Sequence, residues 1–434
     1  MIGLVEKKQR GEQLSEAEIT RAIADFHSGK APDYQMAALL MAIYFQGLTP
    51  QETTFLTRAL LNSGERWDLP AAYHPILDKH STGGVGDKTT LLLVPMLAAA
   101  GFKVPKMSGR GLAHTGGTID KLESIPGLRT ELSQEEARRQ LAEVGCLIIS
   151  QSERLVPAEK KLYALRDATG TVSQQGLIIS SILSKKLASG ATHIVIDVKH
   201  GSGAFFKREG EAYEFAELFV GIAKQFKPSV AAVVTNMEHP LGYAVGNALE
   251  VAEVLGILRD RDTDNEVSLL CMKLGAVLLK LAGKTGNEEE GEELLAETIS
   301  DGSAADKFRS LVSAQGGDLA AFAREIAIIE EKVQRVEVKA PLSGHLVGID
   351  ALSIGQFCHR RGAGRTRKDE AVNPWVGIVL RKKTGDTVLA DEVLAEAYVP
   401  LDDDPNLAQT EVLSAVSIGD KPAPKRLIST VICA

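Results

Sequence analysis

From residue 76 to residue 255 the chain alternates short strand-like apolar runs with helical stretches, and this alternation restricts the fold more than any other feature. The runs fall at 76–80, 104–107, 146–150, 193–198 and 230–235, with helical patterns at 91–100, 133–144, 180–188, 211–226 and 243–255. Strands alternating with helices predict a mainly parallel sheet covered on both faces. In such a sheet ligands gather outside the carboxyl ends of the strands. The loops that follow the runs are therefore where chemistry is expected.

With 434 residues the chain exceeds the ~250–300 at which one hydrophobic core stops growing, so more than one domain is expected. Residues 1–69 read as a helical domain. Ser15 and Glu18 form a capping box, Met36, Leu39, Leu40 and Ile43 make an apolar stripe stopped by Gly47, and Thr49-Pro50-Gln51-Glu52 opens a further helix. Parts of 150–190 and of the helical stretch 258–330 are expected to return to this domain. Residues 70–331 form the α/β domain, and 332–434 a β-rich domain with turns at Ser343-Gly344 and Gly385-Asp386. The phrase Ala340-Pro341-Leu342-Ser343-Gly344 resembles the barrel-sandwich hybrid of biotin and lipoyl carriers, without a lysine in a carrier-type hairpin. The fold class is α/β with a helical domain and a small β-rich domain.

Net charge is -8, which argues against a broad basic surface for nucleic acid. Any bound anion has to be held by a local pocket. The apolar stretch 91–102 is too short for a membrane span, and the first residues lack the apolar run of a signal peptide. Cys146, Cys271, Cys358 and Cys433 lack metal or redox spacing. A cytoplasmic protein with free thiols, no membrane partner and no organic cofactor is expected.

The first informative loop is Lys79-His80-Ser81-Thr82-Gly83-Gly84-Val85-Gly86-Asp87-Lys88-Thr89-Thr90. A strand end, three glycines and a helix start let backbone amides approach an anion closely, with the helix N-terminus adding partial positive charge. Glycines alone would also serve a turn that binds nothing, and the spacing is neither a Walker loop nor a dinucleotide fingerprint. A second glycine cluster runs from Lys106 through Ser108-Gly109-Arg110-Gly111 and Gly116-Gly117-Thr118-Ile119-Asp120 to Glu123. Glycine loses more conformational entropy on folding than any other residue, so two such loops after successive strands point to one ligand site.

The second cluster resembles the signature Ser-Gly-Arg-Gly-Leu-x-x-Thr-x-Gly-Thr-x-Asp-x-x-Glu of the thymidine/pyrimidine-nucleoside phosphorylase family, and the likeness extends over essentially the whole chain. It implies that inorganic phosphate, as co-substrate, is bound by Lys79, Ser81, Thr90, Lys106, Ser108 and Thr118. It also implies that a pyrimidine nucleoside is held by Tyr163, Arg166, Ser181 and Lys185, with Phe205 near the base. His80, Arg166 and Lys185 are the implied catalytic residues. Ser181 and Lys185, four apart, share one helix face. Phosphate would attack the anomeric carbon with inversion while Arg166 and Lys185 stabilise the departing base. His80, with the near-neutral pKa ordinary for histidine, would protonate or hydrogen-bond it. A homodimer built through the helical domain is also implied.

Three positions depart from the family. Lys88 replaces a small threonine or valine, Ser173-Gln174-Gln175-Gly176 replaces a segment usually ending Ser-Ile-Pro, and Phe206 replaces a common methionine. Lys88 bears on a monovalent cation, potassium, that several relatives hold at the positions of Gly86, Lys88, Leu241, Ala244 and Glu253. An ammonium offers three donors and no acceptor, so it could take the ion's place against Glu253; alternatively it reaches solvent and the ion still binds. Rival readings are a thymidine-restricted phosphorylase, an anthranilate-phosphoribosyltransferase-like enzyme, and an inactive nucleoside-binding homologue. Archaeal AMP phosphorylases carry an additional N-terminal domain, which the immediate start of the helical domain does not suggest.

Overall fold

The computed structural model describes residues 1–111, 116–152, 154–365, 370–421 and 426–433. The signature residues 112–115 lie outside them. The chain opens with helices α1 (Ile2–Gln9), α2 (Glu16–His27), α3 (Asp33–Gln46) and α4 (Pro50–Leu61). Ser15 and Thr49 cap α2 and α4, with Glu18 and Glu52 completing reciprocal capping boxes. Glu52 Oε1 also accepts from Lys8 Nζ at 2.8 Å and from the Leu14 amide at 2.9 Å, which ties α1 to α4. The stripe Met36, Leu39, Leu40 and Ile43 packs with Phe26, Leu56 and Leu60.

Strands β1 (Leu77–Ser81), β2 (Val104–Met107), β3 (Cys146–Ile149), β4 (His193–His200) and β5 (Ser229–Asn236) are parallel and nearly all buried. β1 pairs with β4, β4 with β5 and β2 with β3, and a parallel bridge between Ile76 and Lys103 joins the two groups. The order is thus β3-β2-β1-β4-β5, with the β1 and β2 loops side by side. α5 (Thr89–Ala99) follows β1, α6 (Thr118–Leu122) and α7 (Gln134–Glu143) follow β2, and α8 (Pro157–Ala168) and α9 (Gln175–Ala188) follow β3. α10 (Glu209–Ala223) precedes β5; β6 (Ala244–Val245) and α11 (Asn247–Asp260) come after it.

α8 and α9 bury Ala158, Leu162, Leu177 and Ala188 in the core of the helical domain. A Cβ on Gly176 would stand 2.8 Å from Thr53 Oγ1 and 3.0 Å from Leu48 Cβ, so glycine there lets α9 lie close to α4. The opposite side of α9, with Ile179, Ile182 and Leu183, packs with α10 and the sheet.

The helices α12 (Glu266–Leu281), α13 (Glu288–Ser300), α14 (Ser303–Ala314) and α15 (Leu319–Ala327) correct the expectation that 258–330 returns to the helical domain. Their buried residues Leu270, Leu274, Leu295, Phe308 and Phe322 share a core with Leu91, Leu93 and Met96 of α5. The reason lies in α5, where every residue from Thr89 to Ala98 is buried. A helix apolar all round needs cover on its outer side as well as from the sheet.

The β-rich region comprises β7 (Gln334–Lys339), β8 (Gly344–Ile349), α16 (Ala351–Cys358), β9 (Gly377–Leu380), β10 (Thr387–Val388), β11 (Val393–Val399), α17 (Pro405–Ser414) and β12 (Val416–Gly419). Its strands make two sheets, β6-β9-β11-β7 and β10-β8-β12. Two crossings blur the boundary expected at 332. β6 of the α/β region joins the small sheet through β9, and β13 (Ile428–Cys433) returns to pair antiparallel with β5. β13 covers a sheet edge that would otherwise present unpaired backbone groups. Among the described residues no helix is long and apolar enough to cross a membrane.

Candidate functional site

The loop after β1 is shaped by close backbone approach. Gly86 has φ +74°, and a Cβ on it would lie 2.7 Å from the Leu241 carbonyl oxygen. Beneath the loop lies a buried charge network. Lys79 Nζ donates to Thr89 Oγ1 at 2.5 Å and stands 3.7 Å from Asp87 and 3.8 Å from Asp197. Lys199 pairs with Asp197 at 2.8 Å, and the Thr235 hydroxyl donates to the same carboxylate at 2.6 Å. Burial would raise the Asp87 carboxyl, but Lys79, Lys199 and Lys121 outweigh it and hold the group well below the usual carboxylate range.

The second loop leaves β2. Lys106 Nζ donates to the Met107 carbonyl at 2.8 Å, and burial followed by repulsion from Lys186 pushes its pKa well down. Ser108 Oγ is buried and has no hydrogen-bond partner among the described residues. Ser81 Oγ accepts from the Gly83 amide at 3.2 Å. Thr90 is buried in the first turn of α5, and Thr118 opens α6. Of the six implied phosphate residues, Lys79, Ser81 and Thr90 thus flank the first loop and Lys106, Ser108 and Thr118 the second.

Tyr163, Arg166, Ser181 and Lys185, the implied base-binding residues, sit on α8 and α9. The Tyr163 ring has Lys185 Nζ at 5.3 Å and the Arg166 guanidinium at 5.5 Å from its centroid. Lys185 Nζ donates to Ser181 Oγ at 2.8 Å and pairs with Glu159 at 3.0 Å. Arg166 is more embedded than a substrate clamp read from sequence. It is 1% exposed and donates to the carbonyls of Val172 at 2.8 Å and Leu177 at 3.1 Å, while its Nε lacks a partner among the described residues. Phe205, at 36% exposure, lies in the loop after β4.

His80 stands where the two halves meet. Burial and then the charges of Lys186, Lys106, Lys185 and Lys79 hold its pKa well below that of a free histidine. The value expected from sequence is thus moved downward, by burial first and by those lysines next. Lysines from the β1 and β2 side and from α9 thus act on one imidazole.

Lys88 is fully buried. Its ammonium donates to the carbonyls of Leu241 and Ala244, each at 2.8 Å, and to Glu253 Oε2 at 2.6 Å. A Cβ on Gly242 would lie 2.9 Å from that ammonium, so glycine is needed to enclose it.

A profile described as the glycosyl transferase family a/b domain matches residues 73–305, its helical bundle domain residues 2–64, and the pyrimidine nucleoside phosphorylase C-terminal domain residues 345–419. The pyrimidine-nucleoside phosphorylase of Geobacillus stearothermophilus is 44% identical over 92% of each chain. That of Bacillus subtilis (strain 168) is 41% identical over 100% of this chain and 99% of its own. This chain belongs to the pyrimidine-nucleoside phosphorylase family. The fold is shared with anthranilate phosphoribosyltransferase from Thermus thermophilus at a TM-score of 0.59 and 20% identity. That match takes in 99% of the transferase but only 72% of this phosphorylase-family chain, leaving more than a quarter without a counterpart.

The remaining family departures have packing reasons. Gln174 caps α9 by accepting from the Leu177 amide at 2.8 Å, and Gly176 gives the close approach to α4. Phe206 is a core residue whose ring centre lies 4.7 Å from that of Phe215. Sequence reasoning missed Glu159, Asp78 and Lys186. Lys186 is buried against Asp78 at 2.9 Å and the Met107 carbonyl at 3.1 Å, pinning α9 to β1 and β2. Its place next to Lys185 was the available signal, since adjacent helix residues face different neighbours.

The depressed pKa of His80 gives a stability signature. In the folded protein it lies well below the unfolded value near 6.5, so as pH falls through about 6.5 the unfolded state gains a proton that the folded state does not. The associated stability is present above that pH and lost below it. In phosphate-free buffer, wild-type Tm should therefore fall more than that of His80→Asn between about pH 7.5 and about pH 5.5. Thermal denaturation across this range checks it; parallel curves would refute the assignment.

Proposed function

We propose that this chain is a pyrimidine-nucleoside phosphorylase acting in the cytosol, converting uridine- or thymidine-type nucleosides and inorganic phosphate into free base and (2-deoxy)ribose 1-phosphate. The observation that carries the reading is His80, ringed by lysines of both half-sites, beside a buried Ser108 hydroxyl that has no partner among the described residues. Excess buried positive charge with an unsatisfied donor suits a dianion and a departing anionic base. The relatives named above, pyrimidine-nucleoside phosphorylases matched over nearly their whole length, support the same activity.

In the proposed step a phosphate oxygen forms a bond to the anomeric carbon as the bond from that carbon to the pyrimidine N1 breaks. The electron pair leaves with the base, and configuration inverts. Lys79, Ser81, Thr90, Lys106, Ser108 and Thr118 hold phosphate, while Tyr163, Arg166, Ser181 and Lys185 hold the base. Bound phosphate lifts the pKa of His80, so that the ring can donate a proton or hydrogen bond to the leaving pyrimidine. The Lys88 ammonium takes the place of the potassium that relatives hold, supported by its three short bonds to Leu241, Ala244 and Glu253. The protein is a homodimer through its helical domain. Tyr34, Met41 and Phe45 lie along one face of α3, with Tyr34 74% and Phe45 77% exposed, a surface monomers rarely leave open.

Three measurements test these proposals. Phosphate-dependent release of base from uridine and thymidine should be detected, and Ser108→Ala should raise the KM for phosphate about tenfold with little change in the KM for nucleoside; equal shifts would make Ser108 structural. Wild-type activity and Tm should be unchanged when potassium is replaced by a large organic cation at equal ionic strength, whereas Lys88→Thr should become potassium-dependent. Clear potassium activation of the wild type would end that proposal. Sedimentation should find a dimer, and Phe45→Glu should shift it towards monomer; a wild-type monomer at micromolar concentration would count against the interface.

A further inference from the structure

Resting on the reading of Ser181 and Lys185 as base-binding residues, we infer that Glu159 is a positioning residue that sets which pyrimidine edge the site accepts, by holding the Ser181 hydroxyl as an acceptor towards the ligand. Glu159, at the start of α8, is 1% exposed. Its Oε1 takes the Ser181 hydroxyl proton in a short hydrogen bond and lies 3.0 Å from Lys185 Nζ. Lys185 Nζ also donates to Ser181 Oγ at 2.8 Å. The three side chains form a closed triangle between two helices.

A serine hydroxyl has one proton and two lone-pair sites. Here the proton goes to Glu159 and one lone pair to Lys185. What remains open on Ser181 is one acceptor site, and beside it lies the one Lys185 N–H not used within the triangle. The pocket therefore presents an acceptor flanked by a donor. Uracil and thymine present the complement, an N3–H donor between two carbonyl acceptors. Cytosine presents a bare N3 lone pair at the same ring position, which would face the Ser181 lone pair. A carboxylate accepts only, so it cannot release the hydroxyl to donate. A buried polar group left facing its like is costly, which is how such a site rejects the wrong analogue.

Free uracil and cytosine as product inhibitors of uridine phosphorolysis read this edge directly in the full-length protein. The wild type should prefer uracil. Glu159→Gln, whose amide can donate to Ser181 and free its hydroxyl proton, should lower the cytosine-to-uracil ratio of inhibition constants about tenfold or more, with the KM for phosphate within about twofold. A structural role for Glu159 would weaken both bases alike. An unchanged ratio in folded Glu159→Gln, with uracil binding weakened by Ser181→Ala, would overturn the inference while leaving the base-binding reading standing. Uracil inhibition unaffected by Ser181→Ala would overturn the base-binding reading itself, and this inference with it. Should the glutamine variant not fold, Glu159→Asp must keep the uracil preference because it keeps the acceptor, and loss of preference there would refute the proposal.

Discussion

The arrangement around the glycine loops depends on lysine ammonium groups withdrawn from water. A buried cation persists only where carboxylates or carbonyls replace its lost hydration. Lys186 has Asp78, Lys199 has Asp197 and Lys185 has Glu159, each within 3.0 Å, whereas Lys79 shares Asp87 and Asp197 at longer range and Lys106 leans on the Met107 carbonyl. Lys79 and Lys106 are thus the least tightly paired of these five. Their loose pairing leaves a deficit of negative charge at the carboxyl ends of β1 and β2, next to His80 and Ser108. The parallel sheet, the glycines and the flanking helices all serve to deliver these charges to one place.

α9 connects the two halves of that place. Two successive side chains leave it in different directions, Lys185 towards Glu159 on α8 and Lys186 towards Asp78 on β1. One end of the helix packs against α4, while Ile179, Ile182 and Leu183 pack against α10 and the sheet. The residues proposed for the base and those proposed for phosphate are thus fastened to the same rigid element, and their separation is set by the helix rather than by a loop.

Much of this was legible in the sequence. The period of the apolar runs pointed to the parallel sheet, and the capping boxes at Ser15 and Thr49 located α2 and α4. The glycine loops lay at strand ends, where a parallel sheet puts its ligands. Long-range destinations were not legible. Nothing local marks α12 to α15 as cover for α5, because an amphipathic helix shows that it needs a partner without showing which one. Burial of Arg166 and the downward shift of the His80 pKa depend on neighbours far away in sequence, as does the partner of Lys186. Lys88 was an intermediate case: residue type said that it could not act as an oxygen ligand, and only the fold shows the three oxygens that close around it.

The antiparallel pairing of β13 with β5 has a consequence for how the chain is made. Domains tend to fold from the N-terminal side as they leave the ribosome. When residues 77–236 have emerged, the parallel sheet can form, but the outer edge of β5 stays bare until residues 237–427 have followed and β13 arrives. Through that interval the nascent protein carries an unprotected strand rich in valine and alanine, the kind of edge that recruits other chains. Synthesis of this protein thus contains a built-in window of vulnerability, closed only by its last strand.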